Sequence, residues 1–156
     1  MRRQRHRKNG FSLVELLIVI AIIAAILAIA IPTLITTFTN TSETVVMREM
    51  QTIHQAQLQY LSQFGEYAAS LEELGPPAKG VVAGPRAAKL IPASLASGEK
   101  NGYVFTLAKA PSGFTAHANP KVFGRDGRRT FYIDQDGVVH QNWGAEPATA
   151  ESPEVK

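Results

Sequence analysis

Glu15 is the residue whose charge is most costly to accommodate at its position in the sequence. It lies in an apolar segment from Phe11 to Ile31, in which Ser12 is the only other polar residue. An ionisable side chain inside a segment that enters a membrane is costly in free energy, so it usually has a partner or a function. The chemistry open to Glu15 in such a segment is the pairing of charges.

Asp134 and Asp136 come closest to a metal site. Two closely spaced carboxylates can offer oxygen ligands to calcium. A full EF-hand loop would need a third ligand and a closing glutamate, whereas the chain continues from Val138 as an apolar strand. Asp136 with Gly137 is also a strong signal for a tight turn. The sequence therefore favours a turn, with calcium as the alternative and no other cofactor expected.

No set of residues has the pattern of a catalytic centre. An enzyme would need a nucleophile, a base or a metal cluster whose members converge. No glycine-rich phosphate loop follows a predicted strand, and the chain has no cysteine for a disulfide or a thiolate metal site. The histidines are scattered among different predicted elements: His6, His54, His117 and His140. We therefore predict that the chain is not an enzyme.

Basic residues are concentrated at the amino terminus. The chain has 16 Lys and Arg against 13 Asp and Glu, a net charge of +3. Five of the basic residues precede the apolar segment: Arg2, Arg3, Arg5, Arg7 and Lys8. Without them 11 basic residues face 13 acidic ones, so the rest of the chain has no net basic field for nucleic acid. No nucleic-acid partner is expected.

The apolar segment is long enough to cross a membrane once. A helix of its 21 residues, at about 1.5 Å per residue, spans roughly 31 Å and matches a hydrocarbon core of about 30 Å. A secretory signal peptide would have a shorter apolar region, of about 7 to 15 residues. The basic flank places the amino terminus in the cytoplasm. We therefore expect a single-pass membrane protein whose globular part lies on the side of the membrane away from the cytoplasm.

The boundary between the basic leader and the apolar segment reads Gly10, Phe11, Ser12, Leu13, Val14 and Glu15. It resembles the type IV prepilin signature, which type IV pilins and type II secretion pseudopilins share. Counted from Phe11, the acid is the fifth residue, as in that family, and Pro32 is the twenty-second, where many pilins also carry proline. The resemblance covers mainly residues 6–35.

The resemblance implies a structural subunit of a pilus or pseudopilus filament. A membrane-embedded prepilin peptidase would remove the leader, residues 1–10, by cutting after Gly10, and would methylate the new amino terminus at Phe11. Glu15 would pair with the terminal amine of a neighbouring subunit. The implied partners are the peptidase, other pilin or pseudopilin subunits and an assembly platform in the inner membrane.

Other interpretations stay open on the sequence alone. Glu15 could pair with the amine of its own Phe11, since residues four apart share a helix face, or it could lie at the headgroup level. For the whole chain, the alternative is an uncleaved signal-anchored membrane protein with a small ligand-binding or sensory head. A basic flank and a long apolar segment also describe that class, and the Gly10 signature is what favours the filament subunit.

A long amino-terminal helix is predicted, with its first half, 11–31, in the membrane and a continuation over 32–64. Pro32 lacks a backbone donor, so we expect a kink there. The segment Thr36–Ser42 has weak helix propensity. Apolar residues then recur at helical spacing and predict one buried face: Val46, Met50, Ile53, Tyr60 and Phe64.

A small antiparallel sheet is predicted within a globular head, residues 65–143. Alternating residues from Tyr103 predict a first hairpin, and Thr130–Asp134 with Val138–Gln141 predict a second. About four strands with the long helix across one face give an α+β, pilin-like fold. The remaining residues, 144–156, are rich in Ala, Glu, Pro and Thr, and this composition predicts a disordered tail.

Overall fold

The computed structural model describes residues 11–155, and residues 32–41 by their backbone alone. The chain divides into two compact units, Met1–Thr37 and Phe38–Lys156; the second is called the globular unit below. The elements in chain order are α1 Leu13–Phe64, α2 Leu71–Leu74, α3 Ala93–Ala96, β1 Glu99–Lys100, β2 Tyr103–Ala110, β3 Gly113–Pro120, β4 Thr130–Asp134 and β5 His140–Asn142. This order confirms the predicted α+β class.

Helix α1 contains 52 residues and ends where the sequence offers a glycine. Gly65 follows Phe64 with a φ of 79°, and its N–H donates to the carbonyl of Leu61 at 2.8 Å, as at many helix ends. The helix assignment includes Pro32, so α1 does not end there. A kink at Pro32 stays a prediction.

Beyond Ser42, α1 buries the predicted face against the sheet. Val46, Met50 and Ile53 are fully buried and Tyr60 nearly so, at the spacing of one helix face. They join one hydrophobic cluster with residues of β2, β3 and β4, among them Phe105, Phe114, Phe131 and Ile133. The core of the globular unit therefore lies between the second half of α1 and one face of the sheet.

The sheet has five antiparallel strands in the order β1-β2-β3-β4-β5. Both predicted hairpins are present, β2 with β3 and β4 with β5. The strand beyond the expected four is β1, in which Glu99 pairs with Val104. Asn101 and Gly102 link it to β2 with φ values of 52° and 79°, the positive angles that a type I′ turn requires. The Asn-Gly pair is thus the sequence signal for this strand.

The tail is ordered along the edge of β5, so the prediction of disorder for 144–156 is wrong over its described residues. The N–H of Gln141 donates to the carbonyl of Pro153 at 2.8 Å, and the N–H of Val155 donates to that of Val139 at 2.9 Å. Ala148 is fully buried. Composition measures how much apolar surface a segment can bury, whereas this tail is held by backbone hydrogen bonds to an edge strand that has unpaired groups.

The turn between β4 and β5 is held against α1. The N–H of Gly137 donates to the carbonyl of Asp134 at 3.2 Å, and the side chain of Gln51 donates to the carbonyl of Gly137 at 3.1 Å. The His54 ring lies 3.2 Å from the carbonyl of Gln135, so its Nε2 is the donor. His54 is thus a half-buried residue of α1 that contacts the turn.

Replacing Gly137 with alanine should destabilise the globular unit by about 1 to 3 kcal/mol. Its φ is 78°, and an added Cβ would lie 2.7 Å from the His54 ring. Urea unfolding in detergent, followed by the fluorescence of Trp143, measures the effect. Gly84→Ala is the control, since a Cβ there meets nothing within 4 Å. If the two variants were equally stable, the turn would not require glycine at position 137.

Candidate functional site

The apolar segment of α1 is exposed on every side. Leu13–Ile31 has a mean hydropathy of 3.2, enough by length and composition for a helix to cross a membrane. Its large apolar side chains, with that of Phe11, are between 42% and 78% exposed. A core helix of a soluble protein would bury many of them. This segment is therefore suited to covering by molecules outside the chain, either lipid or other helices.

Phe11 and Glu15 lie together at the start of this segment. Phe11 precedes the first residue of α1 by two positions, and Glu15 is the acidic residue of its first turn. Both are exposed. A carboxylate in the first turn is favoured by the positive end of the helix dipole. Among residues 11–155, Glu15 has no ion-pair partner.

Gly10 and the rest of the leader lie outside the described residues. Cleavage after Gly10 and methylation of Phe11 therefore stay predictions, as does the assembly role of Glu15.

Asp134 and Asp136 form the predicted turn. The N–H of Asp136 donates to Oδ1 of Asp134 at 3.0 Å, and the Tyr132 hydroxyl donates to Oδ2 at 3.1 Å. Burial, together with this carboxylate, raises the pKa of Tyr132 to about 12. The described residues contain no group of three or more His, Cys, Asp or Glu that could hold a metal ion. The Asp134 carboxylate thus serves the turn.

A buried ion pair joins α1 to the loop that precedes β4, and no local sequence pattern indicates it. The Glu43 side chain is 2% exposed and accepts hydrogen bonds from the Arg128 N–H and from Nε of Arg129, both at 2.7 Å. Arg129 also donates to Oε1 of Gln141 at 2.8 Å. Its guanidinium lies 4.8 Å from the ring centroid of Trp143. Both carboxylate oxygens of Glu43 therefore accept hydrogen bonds within the globular unit.

The loop that carries this pair, residues 124–129, has the composition of a solvated basic turn. Arg125 fits that composition, because it is exposed and pairs with the neighbouring Asp126. Arg129 does not fit it, since its side chain is 15% exposed. The pattern of the loop could not distinguish the two arginines, because the partner of Arg129 lies 86 positions away in the chain.

Two histidines hold the tail against the outer face of the sheet. His117 on β3 and His140 on β5 flank Tyr132, with ring centroids 5.2 Å and 6.0 Å from it. Nδ1 of His140 lies 2.6 Å from the carbonyl of Ser152, and His117 bonds to the backbone of Ala148. Nδ1 of His117 is buried with no partner among the described residues. Burial lowers the pKa of His117.

Comparison with known proteins identifies the amino-terminal segment. Residues 5–31 match the family model described as the prokaryotic N-terminal methylation motif. This range contains Gly10, Phe11 and Glu15. No curated protein and no solved structure matches the chain. The match therefore covers the apolar segment and part of its leader. The globular unit is interpreted from its own residues.

Glu43→Gln should destabilise the globular unit by about 3 kcal/mol, because it leaves the Arg129 guanidinium buried without its charge partner. Urea unfolding in detergent measures the change. Glu66→Gln is the matched control, since Glu66 pairs with Lys109 on the surface, and we expect no measurable effect. If the two variants lose the same stability, the ion pair does not hold α1 to the sheet.

Acidification should weaken the globular unit through His117. Its folded pKa lies below the unfolded value of about 6.5, so its contribution is complete above about pH 6.5 and is lost as pH falls towards the folded pKa. We expect the free energy of unfolding to fall by up to about 1.4 kcal/mol per pH unit in this window. His117→Gln should remove that part of the slope. If the free energy of unfolding of His117→Gln still fell with pH as it does in the unmodified protein, a group other than His117 would be responsible.

Proposed function

We propose that this chain, whose residues 5–31 carry the methylation signature of type IV pilins and pseudopilins, is a structural subunit of a type IV pilus or of a type II secretion pseudopilus. The observation that carries the proposal is the motif's position. It leads directly into a helix whose apolar side chains, from Leu13 to Ile31, are exposed on all sides. A subunit that polymerises through this helix would cover them.

Processing prepares the helix for that role. A prepilin peptidase that cuts between Gly10 and Phe11 removes the five basic residues that precede the apolar segment. Those residues hold the amino terminus at the cytoplasmic surface. After cleavage the chain begins with the amine of Phe11, which carries one positive charge, methylated or not. Removal of the five basic residues therefore lowers the free-energy cost of moving the helix away from the cytoplasmic surface.

Glu15 supplies the complementary charge. A carboxylate among apolar side chains is costly unless it meets an opposite charge. The amine of Phe11 in a neighbouring subunit is such a charge, and Glu15 is exposed at the start of α1. Pairing between copies would fix how far each helix is displaced along its neighbour. This distinguishes specific assembly from simple lateral packing of apolar helices.

The remaining partners and the location follow from the same segment. The subunit would wait in a bacterial inner membrane with its globular unit in the periplasm, and would enter the filament through an assembly platform. An uncleaved signal anchor with a ligand-binding or sensory head would also need an apolar helix. It would not need a methylation motif, so the match at residues 5–31 favours the filament subunit.

Glu15→Ala should leave removal of the leader intact and reduce incorporation into filaments by at least about tenfold, because the amine of the neighbouring Phe11 loses its partner. Immunoblots of membranes and of sheared or purified filaments measure the two steps. Ser12→Ala is the control, because it alters the other polar side chain of the same segment without changing its charge. Normal filament yield from Glu15→Ala would contradict the role of this carboxylate.

A further inference from the structure

The tail, residues 144–155, lies as a strap along β5 and on the outer face of the sheet, the face away from α1. Two backbone hydrogen bonds join its end to the edge of β5. Nearer its start, the Thr130 hydroxyl and the Asn142 amide both donate to the carbonyl of Glu146, at 2.8 Å and 3.0 Å. The strap is therefore fixed near both of its ends by bonds to β4 and β5.

The strap buries little apolar surface. Of residues 144–155, only Ala148 is fully buried, and Val155 is partly buried against the hydrophobic core. Most of the other side chains of the strap are exposed. A segment with few buried apolar contacts can open while the rest of the fold stays intact. The strap therefore depends on its hydrogen bonds, and a change in one of them alters how often it opens.

His117 lies on β3 beneath the middle of the strap. Its ring bonds to the backbone of Ala148, and this bond favours the charged ring, so the ring is the donor and the carbonyl of Ala148 is the acceptor. Nδ1 is buried with no partner among the described residues, so the donor is Nε2. The neutral ring with its proton on Nε2 therefore holds the strap and leaves Nδ1 as an unpaired acceptor.

A second proton on the His117 ring finds no acceptor among the described residues while the strap is closed. It converts Nδ1 into a buried donor on a positively charged ring. A buried donor or charge without a partner has a higher free energy than one that water can reach. Burial accordingly lowers the pKa of His117. Opening of the strap gives Nδ1 access to water, so proton binding and opening favour one another.

The neighbours of His117 on the sheet do not neutralise a charge on its ring. His117 is opposite Thr106 on β2 and Tyr132 on β4. Burial, together with Asp134, raises the pKa of Tyr132 to about 12, so Tyr132 stays neutral where histidine titrates. The Asp134 carboxylate accepts a hydrogen bond from Tyr132 and forms no ion pair with His117. Asn119, the next residue on this face of β3, has a buried Oδ1 that accepts no bond from the described residues.

His140 on β5 responds to a proton in the opposite way. Its Nδ1 lies 2.6 Å from the carbonyl of Ser152 in the strap, so Nδ1 already carries a proton. The pKa of Glu151 is lowered by hydrogen bonds to Thr149 and to its own backbone, and also by His140. A protonated His140 keeps its bond to the strap and attracts Glu151, so protonation there favours the closed strap. The other acidic residues of the strap are exposed: Glu146 and Glu154.

We propose that residues 144–155 are a proton-sensitive strap: a second proton on the His117 ring releases them from the sheet, while the sheet and the second half of α1 stay packed together. Release uncovers the edge of β5, where the N–H of Gln141 and the carbonyl of Val139 lose their partners. An uncovered edge can pair with another strand. The strap thus makes access to this edge depend on pH, whether or not the chain assembles into filaments.

Hydrogen exchange of the full chain in detergent tests the release. Each amide is measured at about pH 7.5 and about pH 5.0, relative to the unfolded chain at the same pH. Protection of Gln141 and Val155 should fall at least about threefold at the lower pH, with an upper limit of about tenfold per pH unit below about pH 6.5. At both pH values it should be at least about tenfold below that of Met50 and Ile53 in α1. Equal protection at all four amides would overturn the inference, because the strap would then open only when the whole unit unfolds.

Two histidine variants identify the group that titrates. His117→Gln should remove the fall in protection, since glutamine keeps a donor for the carbonyl of Ala148 and takes up no proton. His140→Gln is the matched control, because it alters the other ring that bonds to the strap and leaves His117 to titrate. A fall that persists in His117→Gln, or one that is lost in His140→Gln, would overturn the role of His117. Greater protection at the lower pH would also overturn it, because Nδ1 would then have found an acceptor such as Oδ1 of Asn119.

A disulfide tether tests whether the strap itself has to move. His140 and Glu154 are opposite each other in an antiparallel bridge, and the chain has no cysteine of its own. Opposite residues of this kind lie about 4.5–5.5 Å apart between Cα atoms, within the range of a disulfide. In oxidised His140→Cys with Glu154→Cys, protection of Gln141 and Val155 should not fall at the lower pH, and reduction should restore the fall. A fall that persists in the oxidised chain would overturn the inference, because the proton would then act without release of the strap.

Discussion

Helix α1 has to satisfy two environments along one continuous element, and the rest of the structure depends on that constraint. From Ser42 onwards it buries one face against the sheet, while from Leu13 to Ile31 its apolar side chains are exposed all round. Exposed apolar surface costs about 25 cal/mol per Å² in water. No residue of 11–155 covers this surface; in the proposed filament subunit a membrane and then other helices would cover it.

In the globular unit, polar contacts add directional constraints to the packing of the hydrophobic core. The ion pair of Glu43 with Arg129 fixes one end of the packed part of α1, and the bonds of Gln51 and His54 to the β4–β5 turn fix its middle. Hydrophobic burial is not directional, so it does not by itself set the register of a helix on a sheet. These directional polar contacts set the register of α1 on the sheet.

Local sequence patterns predicted the helix face and the turns, because these features depend on residues that are close in the chain. The spacing of Val46, Met50 and Ile53 gave the buried face of α1, and the Asp-Gly pair at 136–137 gave the second hairpin. The Asn-Gly pair at 101–102 carried the same kind of signal for β1. Glu43 with Arg129 and the ordered tail depend on partners distant in sequence, for which periodicity carries no signal. Of the candidate site, Gly10, Phe11 and Glu15 are assigned from their offsets in the sequence, and their roles stay predictions.

The most direct test of the central claim is the intact mass and amino-terminal sequence of the protein recovered from membranes that contain a prepilin peptidase. A filament subunit of this family should begin at Phe11, with a methyl group on its amine, and should keep the whole apolar segment. A chain that still carries Arg2 to Gly10 in such membranes would contradict the account and would identify an ordinary signal-anchored protein.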